Sequence, residues 1–491
     1  MMKAFSLKGS DRTKRPDDKF PDVFHFTRFS QIINEDIILR RMTKIPAAER
    51  LFTPSYLRAL IIPLLFEQIL TITIGMADTI MVAAVGEASV SGISLVDSIS
   101  NLFIQLFSAF ATGGAVVASQ YMGRRDKISA CKAAKQLVYI TVIFSGAVAA
   151  ILLFGNRHLL RLLFGSIEAD VMTAAENYFI FIVLSYPFLA LCNSCNALCR
   201  SMGKSKITMT VSLIMNIINI GGNAILIYGV GLGTAGAGIA SLASRIAGAA
   251  IMLIVVCNTR LEIHIDSLFK LEWNGAMGKK ILRIGLPSGV ENSTFHIGKI
   301  LVQSLVSTFG TASIAANAVV NNITTFANIP GSVIGLASIT VIGQCCGAKR
   351  IDQAKYYARM LMILTYVMMA LTCLVFYVLT PQLSSLYNLS DEALGISVEC
   401  TRMLLIQTAI FWPLSFTLPN YLRAAGDARY TMIVAMASMW TCRIGFSYLL
   451  GEFFGMGLYG VSWAMVIDWY CRIIFFTRRW LKGGWKTKSV I

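Results

Sequence analysis

The chain has 491 residues, 56% of them hydrophobic and only 14% charged, whereas an average soluble domain carries roughly 25% charged residues. With a mean hydropathy of +0.65, this composition predicts an integral membrane protein and excludes an ordinary soluble domain. The net charge of +17 could suggest nucleic acid as a partner, but the positions of the basic residues argue against it, as described below.

Twelve segments are long and apolar enough to cross a bilayer as helices, which takes about 20 residues each. Because lipid offers no hydrogen bonds to the backbone, runs of this length must be helical. In chain order the segments lie at about 56–82, 92–118, 133–155, 174–199, 207–229, 236–257, 283–307, 315–343, 358–380, 397–422, 430–450 and 457–477. The sequence therefore predicts an all-α membrane protein with twelve transmembrane helices.

The basic residues indicate how these helices are oriented. Most of the 43 Lys and Arg residues lie in the loops and tails on the side that holds both termini. By the positive-inside rule this side faces the cytoplasm, so we expect both termini to be cytoplasmic, in a bacterial cytoplasmic (inner) membrane. Contact with anionic membrane lipid is a secondary expectation. The exceptions are Arg157, Arg161 and Arg402 on the opposite side, and Arg245, Lys299 and Arg443 inside helices.

The second half of the chain repeats the first at a constant shift. Pro63 aligns with Pro287 and Glu67 with Glu291, both at 224 positions. Each half holds six predicted helices, an even number, so both halves enter the membrane from the same side. Parallel repeats of this kind form the two lobes of many transporters, with the substrate cavity between them.

The repeat fixes the expected domain organisation as two six-helix bundles with polar segments around them. The first 50 residues lack the apolar core of a signal peptide, and Met42 is a second possible start. The expected segments are a cytoplasmic tail at 1–54, an N-lobe at 55–257, a cytoplasmic linker at 258–282, a C-lobe at 283–477 and a basic cytoplasmic tail at 478–491.

One acidic residue interrupts the first helix, in the stretch TITIGMADTIMVAAVG at 71–86. This residue, Asp78, aligns with Val302 in the second half, so the symmetry of the repeat does not explain it. An ionisable side chain inside a membrane is costly and is a functional hypothesis by default. The alternative is structural, with Asp78 pairing to an amide and tying helices together.

Amide and hydroxyl groups collect in the same half. Asn219 and Asn223 lie on one face of the fifth helix, where the C-lobe has Arg443 and Ser447. We expect one carboxylate, Asp78, to be surrounded by neutral oxygens, and such a site suits Na⁺. Burial of the same carboxylate away from water would instead favour its protonated form. Further oxygen ligands are expected from Asn193 and Asn196 in the fourth helix and from Ser241 in the sixth.

Pro63 lies on the same helix as Asp78. A proline removes one helical hydrogen bond and permits bending. Pro63 is therefore a candidate hinge that couples the cation site to the cavity, with a static kink as the alternative.

At these residues the chain resembles a multidrug and toxic compound extrusion (MATE) transporter. The resemblance covers about 55–475. It is carried by MADTIMV in a proline-bearing helix, the SQYMGRRD and RSMGKSK loops, and NIINIGGNAILIYGVGLGTAGAGIA. It implies two lobes that export drugs in exchange for Na⁺ or H⁺, without ATP and with no cofactor. It also implies that Asp78 binds the coupling cation, with Asn193, Asn196, Asn219, Asn223 and Ser241 around it, and that the helix bends at Pro63.

The chain departs from the family pattern in its second lobe. Phe295 and Trp412 stand where some members carry a glutamate and an aspartate. Glu291, one turn before Phe295, is the one substitute the sequence offers. We expect small organic, cationic substrates, for which Glu67 and Glu291 could supply negative charge and Phe295 and Trp412 aromatic walls. We expect the transporter to act as a monomer.

Two other functions were weighed. A lipid-linked oligosaccharide flippase of the same superfamily would need basic groups along the central cavity, and Arg245, Lys299 and Arg443 are the candidates. A membrane enzyme would need a catalytic motif, but the sequence has no HExxH, no Walker loop and no nucleophile with a paired histidine. We therefore expect a transporter and neither an enzyme nor an ATP-driven pump.

Overall fold

The structure is a computed structural model that describes residues 45–491 except 156–159, 162–164, 166–167, 267–269, 271, 388 and 489. The chain divides into the units Met1–Lys44 and Ile45–Ile491, and the described residues belong to the second. Most of the predicted N-terminal tail, Met42 included, and Arg157 lie outside the described residues.

Every regular element within the described residues is helical, as predicted. The helices are α1 Pro54–Ala83, α2 Glu87–Gly123, α3 Lys127–Phe154, α4 Ala169–Leu184 with Tyr186–Ser201, α5 Ser205–Gly229, α6 Gly233–Val256, α7 Gly275–Ser307, α8 Thr311–Ala327 with Ile329–Gly347, α9 Ile351–Ser385, α10 Asp391–Ala424, α11 Ala428–Phe453 and α12 Gly457–Leu481. In the described part of the chain, all but α7 and α12 contain a segment long and apolar enough to span a membrane, counting the bent α4 as one span. These two helices carry charged residues in their interiors.

Two predicted helices are broken in the structure. The fourth bends by 45° between its two segments, and the eighth is interrupted at Asn328. A proline follows each break, Pro187 and Pro330, at the start of the second segment. Because proline has no N–H to donate, it is well accommodated in the first turn of a helix. The predicted segments 174–199 and 315–343 thus each consist of two helical segments.

The inter-lobe linker is shorter than predicted. Helix α7 already begins at Gly275, capped by Asn274, whose side chain accepts a hydrogen bond from the Met277 N–H. The polar GAMGKK stretch, whose composition is typical of a linker, is thus the first part of α7. At the other end of the C-lobe, α12 continues to Leu481.

The repeat is visible in backbone geometry as well as in sequence. Arg125, with φ 63°, and Lys349, with φ 57°, are the positive-φ residues other than glycine in the described part of the chain, and they align at the shift of 224. Their N–H groups bond to the carbonyls of Met122 and Cys346, which also align. Because this conformation is uncommon outside glycine, its recurrence supports two copies of one structural unit.

The two lobes interlock at the end that carries these loops. A Cβ atom at Gly123 would lie 1.9 Å from the Gln344 carbonyl oxygen, and one at Gly347 would lie 1.9 Å from that of Gln120. The Gln120 amide donates to the Ala424 carbonyl at 2.8 Å, and the Gln344 amide donates to the Ser201 carbonyl at 2.8 Å. These pseudosymmetric contacts close the two lobes against each other at this end.

Replacing Gly123 with alanine should destabilise this interlock, because the added methyl group overlaps a backbone oxygen of the other lobe. We expect Gly123→Ala to lower the thermal unfolding midpoint by a few degrees. Gly146→Ala is the matched control, since nothing lies within 4 Å of a Cβ there, and it should leave the midpoint unchanged or raise it slightly. Equal midpoints for the two variants would contradict the close contact.

Candidate functional site

Asp78 meets the fifth helix as the sequence predicted. The Asn223 side-chain amide donates to Asp78 Oδ1, linking α1 to α5. Asn223 directly precedes a π-helical turn, Ala224–Gly229. Such turns widen a helix locally and are frequent at functional sites. The wider turn ends the regular helix at the residue that contacts the carboxylate.

Asn219 and Ser241 extend this contact to a third helix. The Asn219 amide donates to Ser241 Oγ at 3.2 Å, joining α5 to α6, and Asn219 also interacts with the Asp78 carboxylate. The amide oxygens of Asn219 and Asn223 are buried and have no hydrogen-bond partner among the described residues. Buried polar atoms are nearly always paired in folded proteins, so these two acceptors beside a carboxylate are suited to bind a cation.

Two other predicted ligands are placed differently. The Asn196 amide contacts Cys192 Sγ at 3.7 Å on its own helix. Within the described residues no hydrogen bond joins Asn193 or Asn196 to Asp78. The structure thus brings Asn219, Asn223 and Ser241 to the predicted cation site, and the role of the two fourth-helix amides stays a prediction.

A second carboxylate was missed. Asp97 on α2 accepts a hydrogen bond from the Tyr178 hydroxyl at 3.4 Å and interacts electrostatically with Asp78 and Arg245. Arg245 in turn donates to Ser185 Oγ at 2.6 Å. The expectation of a single carboxylate was therefore wrong. The signal was available, because Asp97 lies inside the predicted helix 92–118.

The charges of this N-lobe cluster do not balance. Asp78 and Asp97 provide two carboxylates, and Arg245 provides one guanidinium that acts on both. One negative charge is left at membrane depth, where an uncompensated charge is unfavourable. Binding one monovalent cation or one proton would neutralise the cluster. The donor set is suited to either Na⁺ or H⁺.

Glu67 and Glu291 occupy equivalent sites in the two lobes, and both are already neutralised. Glu67 pairs with Arg200 at 2.9 Å and accepts a hydrogen bond from Thr208. Glu291 pairs with Arg423 and accepts a hydrogen bond from Thr431 at 3.3 Å. The carboxylates are 4% and 8% exposed. Each is therefore satisfied by an arginine and a threonine of its own lobe, which argues against free negative charge for a cationic substrate.

The two aromatic candidates of the C-lobe do lie together. Phe295 and Trp412 both contact Phe416, with ring centroids 6.2 Å and 5.1 Å apart. The guanidinium groups of Arg443 and Arg472 lie 5.3 Å and 5.7 Å from the Phe295 ring centroid. The neighbours of this aromatic group are thus cationic.

Pro63 lies inside α1, which is assigned as one helix from Pro54 to Ala83. Its action as a hinge stays a prediction.

Comparison with known proteins identifies the family. The MatE family model matches the chain twice, at residues 63–225 and 287–449. The chain belongs to the MatE family of transporters. The two matched ranges are offset by 224 positions, so the MATE family model also confirms the internal repeat.

Individual relatives agree with this assignment. The chain is 29% identical over 438 residues to the uncharacterized transporter YisQ of Bacillus subtilis, covering 87% of this chain and 94% of that one. It is 23% identical to the probable multidrug resistance protein NorM of Thermotoga maritima, covering 88% and 93%. A solved structure described as an outward-facing conformation of a multidrug resistance MATE family transporter has a TM-score of 0.82 at 20% identity, covering 88% and 96%.

A double-variant comparison tests the structural role of Glu67. Arg200→Gln alone should leave the buried Glu67 carboxylate unpaired and destabilise the protein by about 3–5 kcal/mol. Glu67→Gln/Arg200→Gln should regain much of that loss, because neither charge remains. Thermal unfolding of the single and double variants measures this coupling. Additive losses would contradict a direct buried pair.

Proposed function

We propose that this chain is a secondary active efflux antiporter that exports amphiphilic drugs and other toxic organic compounds in exchange for Na⁺ or H⁺. The observation that carries the proposal is the N-lobe cluster, in which Asp78 and Asp97 both interact electrostatically with Arg245. An exchangeable cation must be able to leave its site. Because this cluster lacks one positive charge, it can be neutralised in turn by the coupling ion and by whichever cation takes its place.

The family comparison supports the efflux part of the proposal. A relative that aligns along most of the chain is named a probable multidrug resistance protein. The basic loops support a placement in the bacterial inner membrane with both termini in the cytoplasm. In this proposal the transporter works as a monomer within the lipid and uses neither ATP nor a bound cofactor.

Alternating access would act on the contact between the lobes. Opening the interlocked end requires Gly123 to part from Gln344 and Gly347 from Gln120. Cation binding at Asp78 changes the charge on α1, which also carries Pro63. Bending of α1 at this proline is a route by which the N-lobe site could influence the separation of the lobes.

The flippase alternative is not favoured. Its candidate basic residues do not act as one group, because Arg245 interacts with the N-lobe carboxylates, whereas Arg443 and Lys299 belong to a C-lobe cluster. The predicted preference for cations is weakened as well, since Glu67 and Glu291 are paired with arginines.

Asp78→Asn should abolish gradient-dependent export, because the amide can neither bind a proton nor contribute a negative charge. The test is efflux of preloaded ethidium and norfloxacin from efflux-deficient bacteria, with the Na⁺ and proton gradients collapsed separately. Thr73→Ala on the same helix is the control, since this exposed hydroxyl donates only to the Ile69 carbonyl among the described residues. Export by Asp78→Asn at the control rate would overturn the coupling role.

Binding of the coupling ion can be measured without transport. If Na⁺ is the ion, a concentration of 100 times its dissociation constant should stabilise the purified protein by about 2.7 kcal/mol. Asp78→Asn and Asn219→Ala should lose this effect, and potassium should not produce it. Stabilisation that persists in Asp78→Asn would place the Na⁺ site elsewhere, and no stabilisation at all would leave H⁺ as the coupling ion.

A further inference from the structure

The C-lobe contains a second group of buried charges, which the proposed coupling mechanism does not use. Asp468 and Arg472 on α12 form an ion pair at 2.9 Å, and Arg443 on α11 lies 3.7 Å from the other oxygen of Asp468. Asp468, Arg472 and Arg443 are 0%, 3% and 5% exposed. One buried carboxylate thus faces two buried guanidinium groups, and this triad has an excess positive charge.

The hydrogen bonding of this triad is incomplete. Arg443 Nε and Asp468 Oδ2 are buried and have no hydrogen-bond partner among the described residues, and the same holds for the neighbouring indole N–H of Trp469. Two of these three atoms are donors. Buried unpaired donors are costly, so an acceptor that entered the cluster beside Arg443 would be stabilised.

Lys299 adds a third positive charge. It interacts electrostatically with Arg443, and within the described residues it makes no hydrogen bond or ion pair. Its side chain is exposed although it lies within α7. A lysine that faces lipid at this depth is unfavourable, and its exposed ammonium group is the part of the cluster that a ligand can reach.

Aromatic rings line the same place. Phe295 lies one turn before Lys299, and Phe416 lies 5.3 Å from the Arg472 guanidinium. Trp412 stacks on Phe416 with an interplanar angle of 23°. A ligand held here would therefore meet flat apolar surfaces next to cationic donors.

The repeat shows that this charge is specific to the C-lobe. Arg443 aligns with Asn219 of the N-lobe cation site, so one position carries an amide in one lobe and a guanidinium in the other. The other three charged residues of the cluster also align with uncharged ones: Lys299 with Gly75, Asp468 with Ser244 and Arg472 with Gly248. Folding of the common scaffold does not require these charges, because the N-lobe is built without them.

We propose that the C-lobe cluster of Arg443, Arg472, Lys299 and Asp468 is a substrate subsite that binds the carboxylate of an aromatic organic anion or zwitterion. The acidic group would lie between Lys299 and Arg443, and the ring system would lie against Phe295 and Phe416. This inference rests on the proposed efflux function for its biological meaning, and it adds the substrate class. The coupling cation and the acidic group of the substrate would then bind in different lobes.

A pair of dyes that differ in one group tests the inference. Rhodamine 110 carries a free carboxylate, and rhodamine 123 is its methyl ester with the same rings. Fluorescence anisotropy with the purified protein in non-ionic detergent should show tighter binding of rhodamine 110. Lys299→Gln should weaken rhodamine 110 binding about tenfold, since it removes one charged contact, and should change rhodamine 123 binding less than twofold. Lys299→Arg should restore the preference.

Two further variants test whether the effect is specific to the C-lobe cluster. Lys132→Gln removes an exposed charge on α3 and should change the binding of neither dye. Arg443→Gln leaves Asp468 paired with Arg472 and should also reduce the preference for rhodamine 110, with unfolding midpoints measured for every variant. A fall in the binding of both dyes by the same factor in Lys299→Gln would overturn the carboxylate subsite.

A competition experiment distinguishes an organic carboxylate from a lipid headgroup as the anion that binds to the cluster. If phosphatidylglycerol displaces rhodamine 110 and added benzoate or naphthoate does not, the cluster binds a lipid headgroup and the substrate subsite is wrong. Because these measurements need no ion gradient, they stand apart from the efflux test. If the protein prefers the carboxylate dye but exports nothing, the proposed efflux function is wrong and the inferred carboxylate-binding site still stands.

Discussion

A charge inside a bilayer must be neutralised by its neighbours, and this constraint organises the whole protein. Where neutralisation is complete, the charges hold helices together: Glu67 with Arg200, and Glu291 with Arg423. Where it is incomplete, a small ion or a charged group can complete it. The N-lobe has one carboxylate too many, and the C-lobe has a surplus of positive charge. Charge balance therefore distinguishes two groups of residues. Those whose charges are neutralised serve the scaffold, and those whose charges are not are available for transport.

Duplication explains why this separation is so clear. The turns at Arg125 and Lys349 and the reciprocal contacts of Gly123 and Gly347 occur once in each repeat, which marks them as parts of the common scaffold. The positions with unbalanced charge, by contrast, differ between the repeats, such as Asp78 against Val302 and Asn219 against Arg443. Divergence of the two halves thus produced two chemically different sites on one framework, an oxygen-rich acidic site and an aromatic basic one.

The helices and the two repeated halves could be predicted from the sequence. Helices in lipid are recognised as long apolar runs, and the repeat is recognised by aligning the sequence with itself. The contact between Asp78 and Asn223 also followed, since helical spacing placed Asn219 and Asn223 on one face of the fifth helix. The helix breaks at Ser185 and Asn328 were missed because hydropathy does not register backbone geometry. The partners of Glu67 and Glu291 were missed because they lie on distant helices. Asp97 and the Asp468–Arg472 pair were visible in the sequence, but only the assembled structure shows that their charges face other charges.

We propose that a cation and an organic substrate exchange across the membrane through the site at Asp78. The most direct test is reversed coupling in proteoliposomes that contain only the purified protein, with no imposed ion gradient. A substrate gradient should drive Na⁺, followed as ²²Na⁺, or H⁺, followed with a pH-sensitive dye, in the direction opposite to substrate movement, and Asp78→Asn should abolish this flux. Substrate movement with no opposing cation flux, or the same flux in Asp78→Asn, would contradict the account.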